Sequence, residues 1–228
     1  MGKQLVKLLD LFCGAGGAAE GYYRAGFIDI TGIDNRPQKH YPFNFIQADA
    51  LEYLAEHGAE EYDVIHASPP CQKYSVTQGM HKRNHPDLVA PVRELLVEVG
   101  KPYIIENVPG APLVNPVLLC GTMFGLRVVR HRLFETNWGL TMSPASCNHW
   151  GTVSGNRSLR DGKSVTPCLK DFDFITVVGH DFILADAKQA MGIDWMGQAE
   201  ISQAIPPAYT KYIGEQFLSR IEEQLRGR

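Results

Sequence analysis

Short apolar runs alternate along this chain with stretches whose apolar residues recur at helical spacing. Leu5-Val-Lys-Leu-Leu-Asp-Leu-Phe12, Ile28–Ile33, Phe45-Ile-Gln47, Tyr62-Asp-Val-Ile-His66 and Pro102-Tyr-Ile-Ile105 read as buried strands. Ala18–Arg24, Leu51–His57 and a stretch opened by Pro86 read as helices between them. In the last of these, Leu88, Val92, Leu95, Leu96 and Val99 keep the i, i+4, i+7, i+8 pattern, and Gly100 closes it. Strand alternating with helix predicts an α/β fold around a mainly parallel sheet. From Thr136 to Phe182 the pattern lapses into a Gly-, Ser-, Asn- and Thr-rich stretch with little periodicity before Phe174–Val178. A short helix over Ala185–Met191 and a last one from Ala208 follow. Tyr209, Ile213, Phe217, Ile221 and Leu225 recur every fourth residue, a stripe that predicts a core-facing side. The expected organisation is a main domain over 1–135, a small insert over 136–182 and a closing part, 183–228, that returns to the main domain.

Each predicted strand ends in a polar or reactive group. The first runs into Cys13-Gly-Ala-Gly-Gly17, where glycine lets backbone approach a ligand; no Gly-Lys-Ser/Thr follows, which argues against a P-loop. The second ends in Asp34, about 20 residues past that turn, where an acid accepts hydrogen bonds from ribose hydroxyls; alone, it reads equally as a solvated loop acid. Asp49 follows the third. The fourth leads into Ala67-Ser68-Pro69-Pro70-Cys71-Gln72. Two prolines fix φ and remove two backbone donors, so Cys71 is presented on a stiff turn beyond the strand's carboxyl end, the edge where open α/β sheets bind ligands. An isolated Cys is more often buried and inert, but this one has company. Glu106-Asn107-Val108-Pro109 follows the fifth strand, placing a carboxylate one strand away, for acid/base assistance or for an ordinary cap or ion pair. In Arg130-His131-Arg132-Leu133-Phe134, Arg130, Arg132 and Phe134 share one face of a strand, either as a solvated edge or to hold an anion or carbonyl oxygen. The polar run Gln72–His85, with Lys73, Lys82 and Arg83, is a surface loop or one that meets phosphates.

Composition narrows the classes. Of 228 residues, 44% are hydrophobic and 21% charged, which suits an ordinary folded domain rather than a disordered one. Net charge is −3, so a polyanionic partner must be met by local basic residues, and the aperiodic insert carries Arg157, Arg160 and Lys163. Five Cys without a CxxC fit a reducing interior. No signal peptide precedes the first strand and no apolar run reaches membrane-spanning length, so a soluble cytoplasmic protein is expected. Cys147-Asn-His149 and Cys168 raise the question of a metal, but their spacing matches no standard zinc pattern, and none is expected.

With these residues in view, the chain resembles the cytosine-5 DNA methyltransferases over nearly its whole length, in the family's unpermuted motif order. The motifs are Asp10-Leu-Phe-Cys-Gly-Ala-Gly-Gly17, Pro69-Pro-Cys-Gln72, Glu106-Asn-Val108, Arg130-His-Arg-Leu-Phe134 and Gln203-Ala-Ile-Pro-Pro-Ala-Tyr-Thr-Lys-Tyr-Ile-Gly-Glu-Gln-Phe217. The resemblance implies a Rossmann-like, S-adenosylmethionine-dependent methyltransferase sheet with a small target-recognition insert. It places the cofactor against Phe12, Cys13, Gly14, Ala15, Gly16, Gly17, Asp34, Asn35, Asp49, Ala50, Pro69, Gln203 and Ala204. Asp34 is implied to bind ribose and Asp49 the adenine amino group. Catalysis is implied for Cys71 as nucleophile, with Glu106, Arg130 and Arg132. Ser68, Pro70, Gln72, Ser75, Asn107, Val108, Arg157, Arg160 and Lys163 are implied to contact double-stranded DNA.

The chemistry calls for these residue types. Carbon 5 of cytosine is a poor nucleophile until a thiolate adds at carbon 6. Charge developing toward N3 and O2 needs donors: Glu106 through a proton shared with N3, for which burial should raise its pKa, and Arg132 at O2. Arg130 is assigned a phosphate or the catalytic loop. The target base must leave the duplex. Two departures stand out. Ser202-Gln203 occupies the position of the family's usual Gly-Asn, which leaves open a modified S-adenosylmethionine and C5-alkyl transfer. The recognition insert is short, which predicts a short or relaxed recognition sequence and matches compact, phage-encoded members. A tRNA cytosine-5 methyltransferase and a catalytically inactive DNA-binding homologue are the other readings. The expected state is a monomer in a bacterial or phage-infected cell, with or without a restriction partner.

Overall fold

The computed structural model of the protein describes residues 5–70, 87–140, 145–154, 158–160, 163–165 and 168–226. The chain divides into two compact units. One comprises Met1–Cys13, Gly26–Leu118 and His131–Thr141; the other comprises Gly14–Ala25, Leu119–Arg130 and Met142–Arg228. This cuts the chain differently from the expected 1–135, 136–182 and 183–228 division: the helix after the Gly-rich turn and the 119–130 segment group with the C-terminal part.

The first unit is organised on a seven-stranded sheet of order β3-β2-β1-β4-β5-β7-β6. Its strands are β1 (Lys7–Leu11), β2 (Asp29–Asp34), β3 (Asn44–Gln47), β4 (Val64–Ala67), β5 (Tyr103–Asn107), β6 (Val117–Leu119) and β7 (Arg132–Thr136). Strands β1 to β5 pair in parallel, and β7 returns antiparallel to β5. The chain reverses its direction of travel across the sheet between β1 and β4, which opens a crevice at their carboxyl ends. Helices α2 (Ala50–Glu61) and α3 (Val89–Val99) cover one face. The period of two along β1 decides what meets them: Leu9 and Leu11 join Ile33, Ile65 and Ile105 against Leu54, Val92 and Leu96, while Leu8 and Asp10 point the other way. Each such fully buried aliphatic side chain contributes about 1.5–3 kcal/mol.

Helix α3 begins at Val89 behind an N-cap at Leu88 and closes on Gly100, whose φ of 71° and N–H to Leu96 O form the expected left-handed cap. The start expected at Pro86 lies outside the described residues. Glu135, fully buried on β7, is the anchor the sequence pattern does not announce. Its carboxylate accepts from Arg93 Nε and Nη2 at 2.8 and 2.7 Å, from Val114 N at 2.7 Å and from Tyr103 Oη at 3.4 Å.

The second unit packs α1 (Gly17–Ala25) on α6 (Pro207–Arg226), with α4 (Leu184–Met191) and α5 (Gln198–Gln203) nearby in the chain. The close approach depends on Gly21, where a Cβ would fall onto Thr210 Oγ1 and Pro207 O. Tyr209, Ile213 and Phe217 are buried as the stripe predicts; Ile221 is only half-buried and Leu225 is 53% exposed, so the core-facing side ends before the helix does. Phe174–Val178 carries isolated bridges, Val128 to Ile175 and Val153 to Phe174. A short antiparallel pair, β8 (Ser158–Arg160) and β9 (Lys163–Val165), stands in the aperiodic insert, with Asp161-Gly162 between its strands. That dipeptide is a favoured two-residue hairpin connection. Among the described residues no helix is long and apolar enough to cross a membrane.

Candidate active site

In the first unit the carboxyl ends of β1, β2, β3, β4 and β5 bring together about half of the residues singled out from the sequence. Immediately after β1, Phe12 adopts φ 57°, a left-handed conformation in a bulky residue, which costs about 1–3 kcal/mol and marks functional turns. Cys13 N donates to Ile33 O at 3.1 Å, tying the turn to β2. Burial, reinforced by the charges of Asp10 and Asp34, pushes the Cys13 thiol far above its ordinary range, so this sulfur is inert at neutral pH. Asp34 ends β2 half-buried and accepts from Arg36 N at 3.0 Å, while the exposed Asn35 accepts at its carbonyl from Gln47 Nε2 at 3.2 Å. Asp49 is exposed and caps α2: its Oδ1 accepts from Leu51 N at 2.9 Å and Glu52 N at 3.2 Å, directly ahead of the buried Ala50. The acid assigned to adenine thus also has a structural duty.

The turn that leads to Cys71 is clamped on both sides. Ser68 N donates to Leu11 O at 3.2 Å, and Ser68 Oγ lies 2.9 Å from Nε2 of His66. His66 is fully buried, and burial pushes its pKa down to about 3, so the ring is neutral. From the other side Asn107, at the end of β5, donates through Nδ2 to Pro69 O at 2.9 Å, while its Oδ1 accepts from Val108 N at 2.9 Å. Pro69 is buried and Pro70 half-buried. Cys71, Gln72 and Ser75 lie outside the described residues.

Next to Asn107, Glu106 is buried and paired with Arg132, whose Nε stands 2.9 Å from Glu106 Oε1. The β5–β7 register explains the pair, since Glu106 sits opposite Phe134, two residues past Arg132. Arg132 Nη1 also donates to His131 O at 2.8 Å. Burial was expected of Glu106, and the guanidinium partner beside it was not.

Arg130 corrects a second expectation. It precedes β7 instead of sharing a strand face with Arg132, and it is buried within the second unit. Its Nη1 donates to Val177 O at 2.6 Å and Nη2 to Ser202 O at 2.9 Å, and its own carbonyl accepts from Tyr209 Oη at 2.6 Å. Both terminal nitrogens therefore hold backbone carbonyls.

The second unit supplies the Gly-rich turn. Gly14 and Gly16 take φ 49° and 84°, conformations a side chain would strain, and a Cβ on Gly14 would meet nothing within 4 Å. Ala15 O accepts from Trp195 Nε1 at 2.8 Å, a support for the turn that no motif announces. At the start of α1, Gly17 lies so close to the 204–205 segment that a Cβ would stand 2.6 Å from Ile205 O. Gln203, exposed, and Ala204, half-buried, close α5, a helix the sequence pattern did not predict. In the insert, Arg160 and Lys163 pair across β8 and β9, and Arg157 lies outside the described residues.

Comparison with known proteins bears on this arrangement. The family model for the C-5 cytosine-specific DNA methylase matches residues 6–115. The Type II methyltransferase M.AgeI of Thalassovita gelatinovora is 32% identical over 124 residues, 46% of this chain and 28% of that protein. The Type II methyltransferase M.HgiGI of Herpetosiphon aurantiacus is 30% identical over 122 residues, 47% of this chain and 94% of that protein. The chain belongs to the C-5 cytosine-specific DNA methylase family. Its match spans about a third or less of the first relatives' lengths, as with M.AgeI. The solved S. pombe Dnmt2 methyltransferase superposes with a TM-score of 0.64 at 13% identity, covering 96% of this chain and 99% of that one, which establishes the methyltransferase fold. Of the family's Pro-Pro-Cys motif, Pro69 is held by Asn107, and Glu106, next to Asn107 in the chain, pairs with Arg132.

Proposed function

We propose that this methylase transfers a methyl group from S-adenosylmethionine to carbon 5 of a cytosine in double-stranded DNA, with Cys71 as the nucleophile. The observation that carries the reading is the Asn107 clamp on Pro69 beside the Glu106–Arg132 pair, which fixes the turn ahead of Cys71 next to a buried carboxylate and guanidinium.

The residues at the sheet edge fit the cofactor. Asp34 and Asp49, at successive strand ends, offer carboxylate acceptors for ribose hydroxyls and an adenine amine, and the left-handed Phe12 and Gly14 leave the turn open. Asn35, Ala50, Gly16, Gly17, Gln203 and Ala204 are assigned to the same ligand by family position. When bound, S-adenosylmethionine supplies an electrophilic sulfonium methyl. The Cys71 thiolate forms a bond to carbon 6 of the flipped base, which turns carbon 5 into an enamine-type nucleophile. Glu106 holds a proton at N3 as charge develops there, and Arg132 neutralises O2. Once carbon 5 carries the methyl, loss of its proton expels Cys71 and regenerates the base. Arg130 acts upstream of this, by holding the 177 and 202 carbonyls.

The insert over 136–182 is the target-recognition segment in this reading, with Arg157, Arg160 and Lys163 on phosphates and Ser68, Pro70, Gln72, Ser75 and Val108 near the base. The enzyme acts as a monomer in the cytoplasm of a bacterial or phage-infected cell. The names of its Type II relatives suggest a restriction-modification setting. Covalent trapping tests the proposal: genomic duplex DNA and tRNA, each carrying 5-fluorocytosine, are incubated with enzyme and S-adenosylmethionine. A denaturation-resistant complex with DNA and none with tRNA is expected. Cys71→Ser should lose the complex yet bind S-adenosylmethionine in calorimetry. Trapping on tRNA alone overturns the DNA assignment, and trapping by Cys71→Ser overturns the nucleophile.

A further inference from the structure

Outside the catalytic motifs, the second unit gathers two sulfurs and an imidazole that none of them uses. Cys120 is buried at the residue preceding a 3-10 turn, Gly121–Phe124. Cys147 and His149 arrive from a stretch, 145–150, that has no helix or strand of its own. His149 Nε2 lies 2.9 Å from Cys147 Sγ and 3.3 Å from Cys120 Sγ. Thr122 Oγ1 stands 3.5 Å from Cys120 Sγ and 3.6 Å from Cys147 Sγ, and accepts from Asn148 N at 3.2 Å. The ligand atoms lie within 4.8 Å of one another.

We propose that Cys120, Cys147 and His149 form a zinc site that fastens the 145–150 stretch to the 3-10 turn. Two thiolates and an imidazole are the soft and borderline donors that select zinc over calcium or magnesium. Tetrahedral zinc with bonds of about 2.3 Å to sulfur and about 2.0 Å to nitrogen separates such donors by about 3.5 Å. The 3.3 Å edge to Cys120 is close to this, and the 2.9 Å edge to Cys147 lengthens by about 0.6 Å when the metal enters. A simple disulfide between the two cysteines would leave unexplained why one imidazole nitrogen faces both sulfurs. The Thr122 hydroxyl has one proton to give and two sulfurs in reach, the type of outer hydrogen bond that steadies a metal-bound thiolate. The coordination is completed by a solvent molecule or one further side chain. The role is a cross-link: a stretch without its own ladder of hydrogen bonds needs another means of being held, and metal binding contributes directly to folding. The sequence argued against a metal because the spacing of Cys147, His149 and Cys168 matches no standard zinc pattern, and Cys120, far along the chain, was not among the candidates.

The test uses the full chain purified with reductant. Elemental analysis should find about one zinc per chain, and cobalt substitution should give the intense visible bands of a tetrahedral thiolate site. Cys147→Ser and His149→Ala, at or near the surface, should keep the wild-type circular dichroism but lose the stoichiometric metal. Thr122→Val should weaken it about 10–100-fold. Cys168→Ser, whose sulfur donates to Asp171 Oδ2 instead, should behave as wild type. The proposal is overturned if the reconstituted wild type binds neither zinc nor cobalt stoichiometrically. It is also overturned if Cys168→Ser loses the metal equally, or if peptide mapping of thiol-blocked protein finds a Cys120–Cys147 disulfide.

Discussion

Asp10 is a carboxyl within the Asp-Leu-Phe motif that is buried to 1% exposure, with Tyr41 Oη donating to its Oδ2 at 3.2 Å. Burial outweighs that hydrogen bond and pushes its pKa up to about 8. The sign follows from linkage: below about pH 4 the folded and unfolded chains both hold this proton, and between about pH 4 and 8 the unfolded chain releases it while the folded one keeps it. The stability associated with Asp10 is therefore complete below the unfolded pKa and is lost as pH rises through the folded one. Asp10→Asn, which retains an acceptor for Tyr41, should gain thermal stability over the wild type progressively from pH 4 to 8 and no further above it; parallel melting curves at all pH values would show that Asp10 is solvated. The Glu106–Arg132 pair makes a second residue-level prediction. Its side chains are 8% and 15% exposed, so removing either charge strands the other. Glu106→Gln and Arg132→Met should each cost about 3–5 kcal/mol in urea denaturation, with the double variant costing much less than their sum. Additive losses would mean the two act independently. What was legible at this scale was chemistry rather than commitment. The motifs marked Glu106, Arg130 and Arg132 together, but Arg130 is taken by two carbonyls because Val177 and Ser202 reach it from distant parts of the chain, and no local pattern carries that information.

The parallel strands and their order of appearance were readable as elements because each pairs a continuous apolar run with a polar terminus, the pattern of a sheet covered by helices. What escaped were α5, β6 and the β8–β9 pair, which are too short for a period to show. Asp49 shows how a structural duty can overlap a proposed ligand role. As the α2 N-cap it would be retained with no cofactor at all, so activity loss alone cannot identify it. Asp49→Ala should cost about 1 kcal/mol of stability, whereas Asp49→Asn, an equally good cap, should cost a few tenths. If the side chain also accepts from adenine, both substitutions weaken S-adenosylmethionine in calorimetry, the alanine by about 1.5–3 kcal/mol and the asparagine by less. Wild-type affinity in Asp49→Ala would leave it a cap and nothing more.

At the scale of the whole molecule the question is how a chain of net charge −3 would hold the duplex DNA proposed as its substrate. Long-range attraction is lacking, so affinity must come from short-range contacts by local cations within about one Debye length. The β8–β9 pair offers such a place: its register sets Arg160 opposite Lys163 beside the Asp161-Gly162 connection, with Arg157 one residue ahead of the first strand. Phosphate contacts carry affinity and salt dependence but no sequence information. Replacing Arg160 or Lys163 by Ala should therefore weaken binding to cognate and scrambled duplexes alike. Each replacement should also flatten the slope of log affinity against log salt by roughly one unit. Titrations over a salt series on both duplexes decide between three cases. A loss on the cognate duplex alone would make these residues readers of base edges, and an unchanged slope on both would leave the pair with no part in DNA binding. Equal losses with a shallower slope would assign the hairpin to the backbone and leave sequence discrimination to the residues around the flipped base, which is what so short an insert requires.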